Sequence, residues 1–141
     1  MQLTIFTDYG LRTLMYLAAQ PEKLSSVREI SDHYAISRHH LVKVVHRLSQ
    51  LGYVATTKGK SGGIRLACDA RKVKLGDLVR KLEPNMRIVE CFDAATNSCT
   101  VVSGCRLKHL LFKANQSFLL TLNGHTLADT IKDDALFLAL H

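Results

Sequence analysis

Apolar residues recur at helical spacing near the start of the chain. Four of them follow the i, i+3, i+4, i+7 pattern of an amphipathic helix: Leu11, Leu14, Met15 and Ala18. Thr7 is the expected N-cap of this helix, with Asp8 in its first turn. A second, short helix is predicted over 27–34, because Ser26 and Glu29 have the spacing of a capping box.

A third helix with two contrasting faces is predicted from its N-cap, Ser37, to Gly52, which ends it. Its apolar stripe consists of Leu41, Val44, Val45, Leu48 and Leu51. The side chains largely opposite are polar or basic: Arg38, His39, Lys43, His46, Arg47 and Gln50. Two short helices joined by a tight turn at 35–36 predict a helix-turn-helix, whose second helix enters the major groove of DNA.

A β-hairpin is predicted directly after the third helix. Residues 53–57 form a β-type run, 58–63 a turn rich in glycine and lysine, and 64–67 a second strand. A hairpin in this place is the wing of a winged helix. Its glycines allow the backbone to approach phosphate groups closely.

The second half of the chain is dominated by one long helix. A short helix is predicted over 75–82, and the long one runs from Cys105 to about Asn123. Nine apolar residues make its surface too broad to stay uncovered: Leu107, Leu110, Leu111, Phe112, Ala114, Phe118, Leu119, Leu120 and Leu122. We expect this helix to pair with a second copy of the chain, the alternative being packing on its own domain. A last short helix, capped by Thr126, is predicted from 127 to about 133.

These elements predict a mainly α (α+β) fold. We expect a winged helix-turn-helix DNA-binding domain at 1–84 and a dimerisation helix with a C-terminal helix at 105–141. Between them, 85–104 is a loop that carries cysteines and is expected to bind a metal cluster, for the reasons given below. The longest wholly apolar run, 135–140, is far shorter than the about 20 residues of a membrane span. No basic stretch followed by an apolar one opens the chain, so we expect no signal peptide and a cytoplasmic protein.

The distribution of charge indicates the partner. The net charge is +7, and the window 36–68 contains six Lys or Arg and no Asp or Glu. The rest of the chain is nearly balanced, so the excess lies in the helix-turn-helix and wing, which favours double-stranded DNA. We expect Arg38 to contact guanine, the commonest specific contact of arginine. The full set of expected DNA contacts is Ser37, Arg38, His39, His40, Lys43, Lys58, Lys60, Ser61 and Arg65.

Three of the four cysteines follow one another with C-x7-C-x5-C spacing: Cys91, Cys99 and Cys105. Clustered cysteines in a cytosolic protein favour metal binding or redox chemistry over structural disulfides. The wide spacing favours an iron–sulfur cluster, and a zinc site completed by His109 is the alternative. Cys68 lies outside this group and is expected to be a small buried residue. We expect that the protein is not an enzyme, because the sequence shows no histidine–carboxylate arrangement around the cysteines.

These residues together resemble the bacterial winged-helix repressors that include NsrR, IscR and RirA. The resemblance covers nearly the whole chain and begins with M-x-L-T-x-F-T-D-Y-G. It continues through the recognition helix Ser37-Arg-His-His-Leu-Val-Lys43, the wing Lys58-Gly-Lys-Ser-Gly-Gly-Ile-Arg-Leu66, Gly76-Asp-Leu-Val, Leu82-Glu-Pro84 and Arg106-Leu-Lys. Within the family, the chain is most similar to the nitric-oxide-sensing NsrR type.

The resemblance implies an obligate homodimer that represses genes for nitric oxide detoxification, with nitric oxide as the effector. It also implies an iron–sulfur cluster bound by the three cysteines. In the NsrR type, a 4Fe–4S cluster takes a fourth ligand from an aspartate near the N-terminus of the partner subunit, and Asp8 occupies the matching position. The first cysteine gap, seven residues, is longer than the family pattern leads us to expect.

Other members of the family differ in cluster and effector. In the IscR type, a histidine three residues after the last cysteine ligates a 2Fe–2S cluster. Lys108 stands at that position here, which argues against this type. An iron-responsive regulator of the RirA type shares the fold and the ligands, so it stays an alternative, as does a winged-helix regulator with a structural zinc.

Overall fold

The structure is a computed structural model that describes residues 2–132. In this range the chain forms five α-helices and one two-stranded antiparallel sheet. In chain order they are α1 (Ile5–Ala19), α2 (Val27–Tyr34), α3 (Arg38–Gln50), β1 (Val54–Thr57), β2 (Gly63–Leu66), α4 (Leu75–Leu82) and α5 (Arg106–Asn123). Short 3-10 turns lie at Ala70–Lys72, Glu90–Phe92, Val102–Gly104 and Leu127–Ile131. The predicted mainly α fold with a two-stranded wing is confirmed.

Helix α1 begins earlier than its sequence pattern predicts. Its N-cap is Thr4, whose Oγ1 accepts a hydrogen bond from the Thr7 amide at 3.3 Å, so Thr7 as N-cap is wrong. Both threonines are good caps, and a tertiary contact distinguishes them. The Thr4 amide donates to Glu83 Oε1 at 2.6 Å, beyond the end of α4. Asp8 still lies in the first turn.

The helix-turn-helix forms where the sequence predicts it. Ser26 and Glu29 make both hydrogen bonds of the capping box that opens α2. Ala35 adopts the left-handed conformation at φ 51° to make the tight turn, and Ser37 caps α3. The second helix of the motif is thus fixed at both ends, since Gly52 follows its C-cap at φ +79°.

One hydrophobic core joins the helices to the wing. The apolar side chains of this core that are fully shielded from solvent come from α1, α2, α3 and α4 and from the turn after α5: Leu14, Leu17, Ile30, Leu41, Val44, Leu48, Leu78 and Leu127. The wing is attached through Ile64 on β2, which is also buried. Ser25 and Ile64 exchange two backbone hydrogen bonds of 2.9 and 2.8 Å, so the wing and the start of α2 form one unit.

Helix α5 divides its apolar surface between two environments. Leu119 is buried within the protomer on the side that packs against α4, and Leu111, Phe118 and Leu122 are partly buried. The other apolar side, with Leu107 and Leu110, stays exposed. The nine residues are therefore not one uniform stripe, because the side facing α4 already packs inside the protomer.

The last predicted helix is a 3-10 turn over Leu127–Ile131, opened by a capping box of Thr126 and Asp129. The predicted end of that helix, near 133, lies outside the described residues. So does the apolar run 135–140.

Candidate nucleic-acid interface and cysteine segment

The structure places all nine side chains of the predicted DNA-binding set at the surface. Each of them is exposed: Ser37, Arg38, His39, His40, Lys43, Lys58, Lys60, Ser61 and Arg65. In the part of the chain that the structure describes, no ion pair involves a basic residue of the window 36–68. The positive charge of this surface is therefore not neutralised by carboxylates and remains available to a polyanion.

Helix α3 presents a ridge that points away from the core. Its buried residues are Leu41, Val44, Val45 and Leu48. At 3.6 residues per turn, the opposite ridge holds His39, Lys43, His46 and Gln50. His46 and Gln50 lie within 3.2 Å of each other through their Nε2 atoms. The sequence places these two on the polar face but not among the predicted contacts. The signal for them is that each follows a predicted contact by seven residues, or two helical turns: His46 follows His39 and Gln50 follows Lys43.

The wing tip combines basic side chains with a backbone that needs glycine. Lys58 and Lys60 lie in the turn between the strands, where Gly59 adopts φ +107°. At Gly62 a Cβ atom would lie 2.2 Å from the Thr57 carbonyl oxygen. A side chain at Gly62 is therefore excluded by the backbone of the turn itself.

The three clustered cysteines occupy one irregular segment. Cys91 lies in the 3-10 turn Glu90–Phe92, and the Cys99 amide donates to Asn97 Oδ1 at 3.1 Å. Cys105 is the N-cap of α5, where its Sγ accepts a hydrogen bond from the Lys108 amide at 3.4 Å. All three are partly exposed free thiols.

A cavity of about 650 Å³ lies beside Cys91. Among its other walls are Lys108 and Asn115, which is buried and donates through Nδ2 to the Met86 carbonyl oxygen at 2.7 Å. Asn115 Oδ1 is shielded from solvent and has no hydrogen-bond partner in the described residues. The cavity and the free thiol beside it make this side of the segment suited to a bound group.

The cysteines are the kind of ligand that an iron–sulfur cluster takes, but in this structure their side chains are not gathered around one point. Three free thiols in one segment are the ligands that such clusters take. In the described range, however, no three side chains of His, Cys, Asp or Glu stand close enough to hold one metal ion. Within the described residues, neither Asp8 nor His109 therefore completes a metal site with these cysteines. The cysteines share a segment, but within the described part of one protomer they are not gathered into a site.

Asp8 is engaged within its own helix. Its Oδ2 lies 2.8 Å from Arg12 Nη2, and its Oδ1 accepts from Arg12 Nε at 3.0 Å. Both side chains are 41% exposed. The Arg12 guanidinium also lies 5.9 Å from the centre of the Tyr34 ring. The carboxylate is thus accessible at the surface and paired with a neighbour one turn along α1.

Cys68 has a different environment from the other thiols. It is partly rather than fully buried and packs against the hydrophobic core. Burial raises the pKa of its thiol, and the nearby Asp69 carboxylate raises it further. The raised pKa favours the neutral thiol, as expected for a cysteine that packs against the core.

No helix within residues 2–132 has the length and apolar character needed to cross a membrane.

Comparisons with known proteins agree with this architecture. The model of the Rrf2 family, described as an iron-dependent transcriptional regulator, matches residues 3–133. A Bacillus subtilis (strain 168) protein named HTH-type transcriptional regulator NsrR is 48% identical over 134 residues, which covers 94% of this chain and 92% of that protein.

Solved structures show the same fold. T. potens IscR superimposes with a TM-score of 0.73 at 25% identity, covering 95% of this chain and 88% of that one. CymR (YrzC), the global cysteine regulator of B. subtilis, gives a TM-score of 0.73 at 24% identity, covering 92% of this chain and 95% of that one. With its winged helix, its basic surface and these matches, the chain belongs to the Rrf2 family of transcriptional regulators.

Proposed function

We propose that this regulator is a homodimeric, nitric-oxide-responsive repressor that binds operator DNA when loaded with an iron–sulfur cluster and releases it when nitric oxide reacts there. One observation carries the proposal: a basic winged helix and three free thiols are connected through α4 and α5 in one chain. The likeness to the Bacillus subtilis protein named NsrR supports it. Such a repressor would work in the cytoplasm, where bacterial DNA lies.

The proposed DNA contacts follow from the exposed basic surface. The N-terminal part of α3 would enter the major groove with Ser37, Arg38, His39 and His40, while Lys43 reaches phosphate. Four residues of the wing would hold the sugar–phosphate backbone: Lys58, Lys60, Ser61 and Arg65. Because the basic side chains among them lack ion-pair partners in the described range, binding does not first require breaking internal salt bridges.

The exposed side of α5 supports dimerisation. Leu107, Leu110 and Leu120 are 61%, 63% and 70% exposed. Phe112, 51% exposed, lies on a different side of the helix, with its ring centre 6.1 Å from that of Phe92. Several large apolar side chains in series along one helix indicate a surface that another protein covers. Pairing with a second copy would shield them and would present two recognition helices to two half-sites.

We assign the cluster to Cys91, Cys99 and Cys105 of one protomer and to Asp8 of the partner subunit. A 4Fe–4S cluster accommodates this set of four, and a 2Fe–2S cluster is the less favoured form. Binding would draw the segment 91–105 together and would take Asp8 away from Arg12. When bound, such a cluster would supply iron that can react with nitric oxide. Asp8 of the partner subunit would be its one carboxylate ligand, harder than the three thiolates.

The switch would then depend on which partner Asp8 has. While Asp8 is a ligand, α1 of one protomer is tied to the cysteine segment of the other. Once released, Asp8 can pair with Arg12 as it does in this structure, at 2.8 Å. The two protomers would then lose one connection, and the spacing of the recognition helices would change. Such a device requires two states with different affinities for DNA.

The test is an electrophoretic mobility shift of DNA with anaerobically purified protein, with and without nitric oxide. Cys99→Ala should lose the iron and the response, whereas Cys68→Ala, the matched control, should keep both. Metal analysis of the same samples should find iron. A Cys99→Ala protein that binds as tightly as the wild type and still responds would overturn the proposal, and so would zinc without iron.

An iron- or redox-responsive regulator is the second candidate, favoured by the description of the family as iron-dependent. It needs the same ligands and the same surface. DNA release on iron chelation or oxidation, with no effect of nitric oxide, would replace the first proposal with this one.

A further inference from the structure

We propose that Val42 is a specificity-determining residue, which contacts the methyl group of a thymine in the major groove. The proposal rests on the DNA binding by α3 proposed above and does not depend on the cluster or its effector. Val42 is 52% exposed. Among the described residues of α3 it is the only large apolar side chain with such exposure, because Leu41, Val44 and Leu48 are at 0%.

Two of the neighbours of Val42 on the helix surface are proposed DNA contacts, and the third is a residue of the polar ridge of α3. On a helix, residues three and four positions away are adjacent, so Arg38, His39 and His46 surround Val42 on the surface. All three are exposed and polar. Val42 is thus a single apolar contact surface within a basic field. It is also too isolated to form a protein-binding patch of the kind seen on α5.

The chemistry of the major groove supplies a matching feature. Base edges there present hydrogen-bond donors and acceptors, and the only apolar group is the C5 methyl of thymine. Valine has two methyl groups, and in a helix its branched Cβ leaves one strongly preferred χ1 rotamer. The side chain therefore presents a rigid apolar surface to the groove at little entropic cost.

A valine at this place also discriminates against other bases. A hydrogen-bonding group of the DNA that faced Val42 would lose its water and gain no partner, which is unfavourable. Thymine avoids this loss, because the group that meets Val42 is a methyl. Arg38 and His39 would then supply the polar contacts on either side.

The experiment removes the methyl from the DNA and the apolar surface from the protein. Duplexes that the full-length protein selects from a randomised 30-bp library serve as the probe, in whichever metallation state binds them. Each thymine is replaced singly by deoxyuridine, which differs only by the methyl group. At one position per half-site we expect wild-type affinity to fall about 4-fold, the effect of one buried methyl.

The variants decide whether Val42 causes that effect. Val42→Ala should bind the methylated duplex more weakly and should become insensitive to deoxyuridine at that position. Val42→Thr, which keeps one methyl, should retain part of the sensitivity. Lys43→Ala, which removes a proposed phosphate contact on the same helix, is the control, and it should weaken binding to every duplex by the same factor.

Several results would overturn the proposal. Val42→Ala could show the same deoxyuridine profile as the wild type, or its loss of affinity could be explained by a change in the monomer–dimer equilibrium measured by ultracentrifugation. A protein that selects no sequence would overturn both this proposal and DNA reading by α3. A selected sequence without deoxyuridine sensitivity would overturn only the role of Val42.

Discussion

Asp77 and Asn123 join α4 to α5 by two reciprocal hydrogen bonds. The Asp77 amide donates to Asn123 Oδ1 at 2.9 Å, and Asn123 Nδ2 donates to Asp77 Oδ1 at 3.1 Å. Next to them, the Leu127 amide donates to the Val73 carbonyl oxygen at 2.8 Å. These contacts connect the winged helix with α5, the helix that Cys105 caps. Within one protomer, a structural change in the cysteine segment can reach the recognition helix through this junction.

Gly76→Ala should weaken that junction. A Cβ atom at Gly76 would lie 2.5 Å from the Leu119 carbonyl oxygen and from Asn123 Oδ1, so the two helices must separate. Overpacking of this kind costs roughly 1–3 kcal/mol of the free energy of unfolding, which urea denaturation measures. Gly104→Ala is the matched control, because nothing lies within 4 Å of a Cβ there. Equal stability of the two variants would contradict the close packing of α4 on α5.

Asp8→Ala should affect function much more than stability. The ion pair with Arg12 is 41% exposed on both sides, so its loss should cost less than about 1 kcal/mol. If the partner's Asp8 ligates the cluster, however, the variant should hold iron less firmly and lose tight DNA binding. Asp32→Ala removes another i, i+4 pair, with Arg28, which is longer and more exposed, and should change neither property. Iron content, thermal unfolding and DNA affinity measured together separate the two effects.

Local rules were sufficient for most of the winged helix. Ser26, Ser37 and Gly52 mark helix ends through caps whose physics involves only neighbouring residues, and the structure places them accordingly. The prediction of Thr7 as N-cap was wrong because the actual cap, Thr4, is selected by a contact with Glu83, 79 positions away. No local pattern contains that information.

The candidate site was less predictable for the same reason. The exposed basic residues follow from helical and strand periodicity, which is local. The division of α5 into a buried side at Leu119 and an exposed side at Leu110 depends on where α4 lies. The arrangement of the cysteines depends on the bound group and on a second copy of the chain, neither of which one sequence specifies.

Lys60→Ala should weaken DNA binding through charge alone. A plot of log K against log salt falls with a slope of about −0.9 for each phosphate that the protein contacts. Removal of one such contact should therefore make the slope less steep by about 0.9. The variant should therefore bind all duplexes more weakly at low salt and approach wild-type affinity as salt rises. Lys72→Ala, an exposed lysine outside the window 36–68, is the control and should leave the slope unchanged. An unaltered slope for Lys60→Ala would mean that the wing tip does not reach phosphate.

The capping box of α2 should make stability depend on acidity. Hydrogen bonds from Lys23 and from the Ser26 backbone amide lower the pKa of Glu29 in the folded protein. A carboxyl whose folded pKa lies below its unfolded value, about 4.3, stabilises the fold fully above that value. This contribution is then lost as the pH falls through the lower, folded pKa. Urea unfolding between pH 7 and pH 3 should show it.

Glu29→Gln isolates that contribution, because glutamine can still cap the helix and carries no charge. At neutral pH the variant should be less stable than the wild type, and the difference should shrink towards zero as the solution is acidified. Glu22→Gln, at an exposed position before α2, is the control for the loss of one surface carboxylate. A difference between wild type and Glu29→Gln that persists unchanged at pH 3 would show that the ionised carboxylate does not hold the start of the helix-turn-helix.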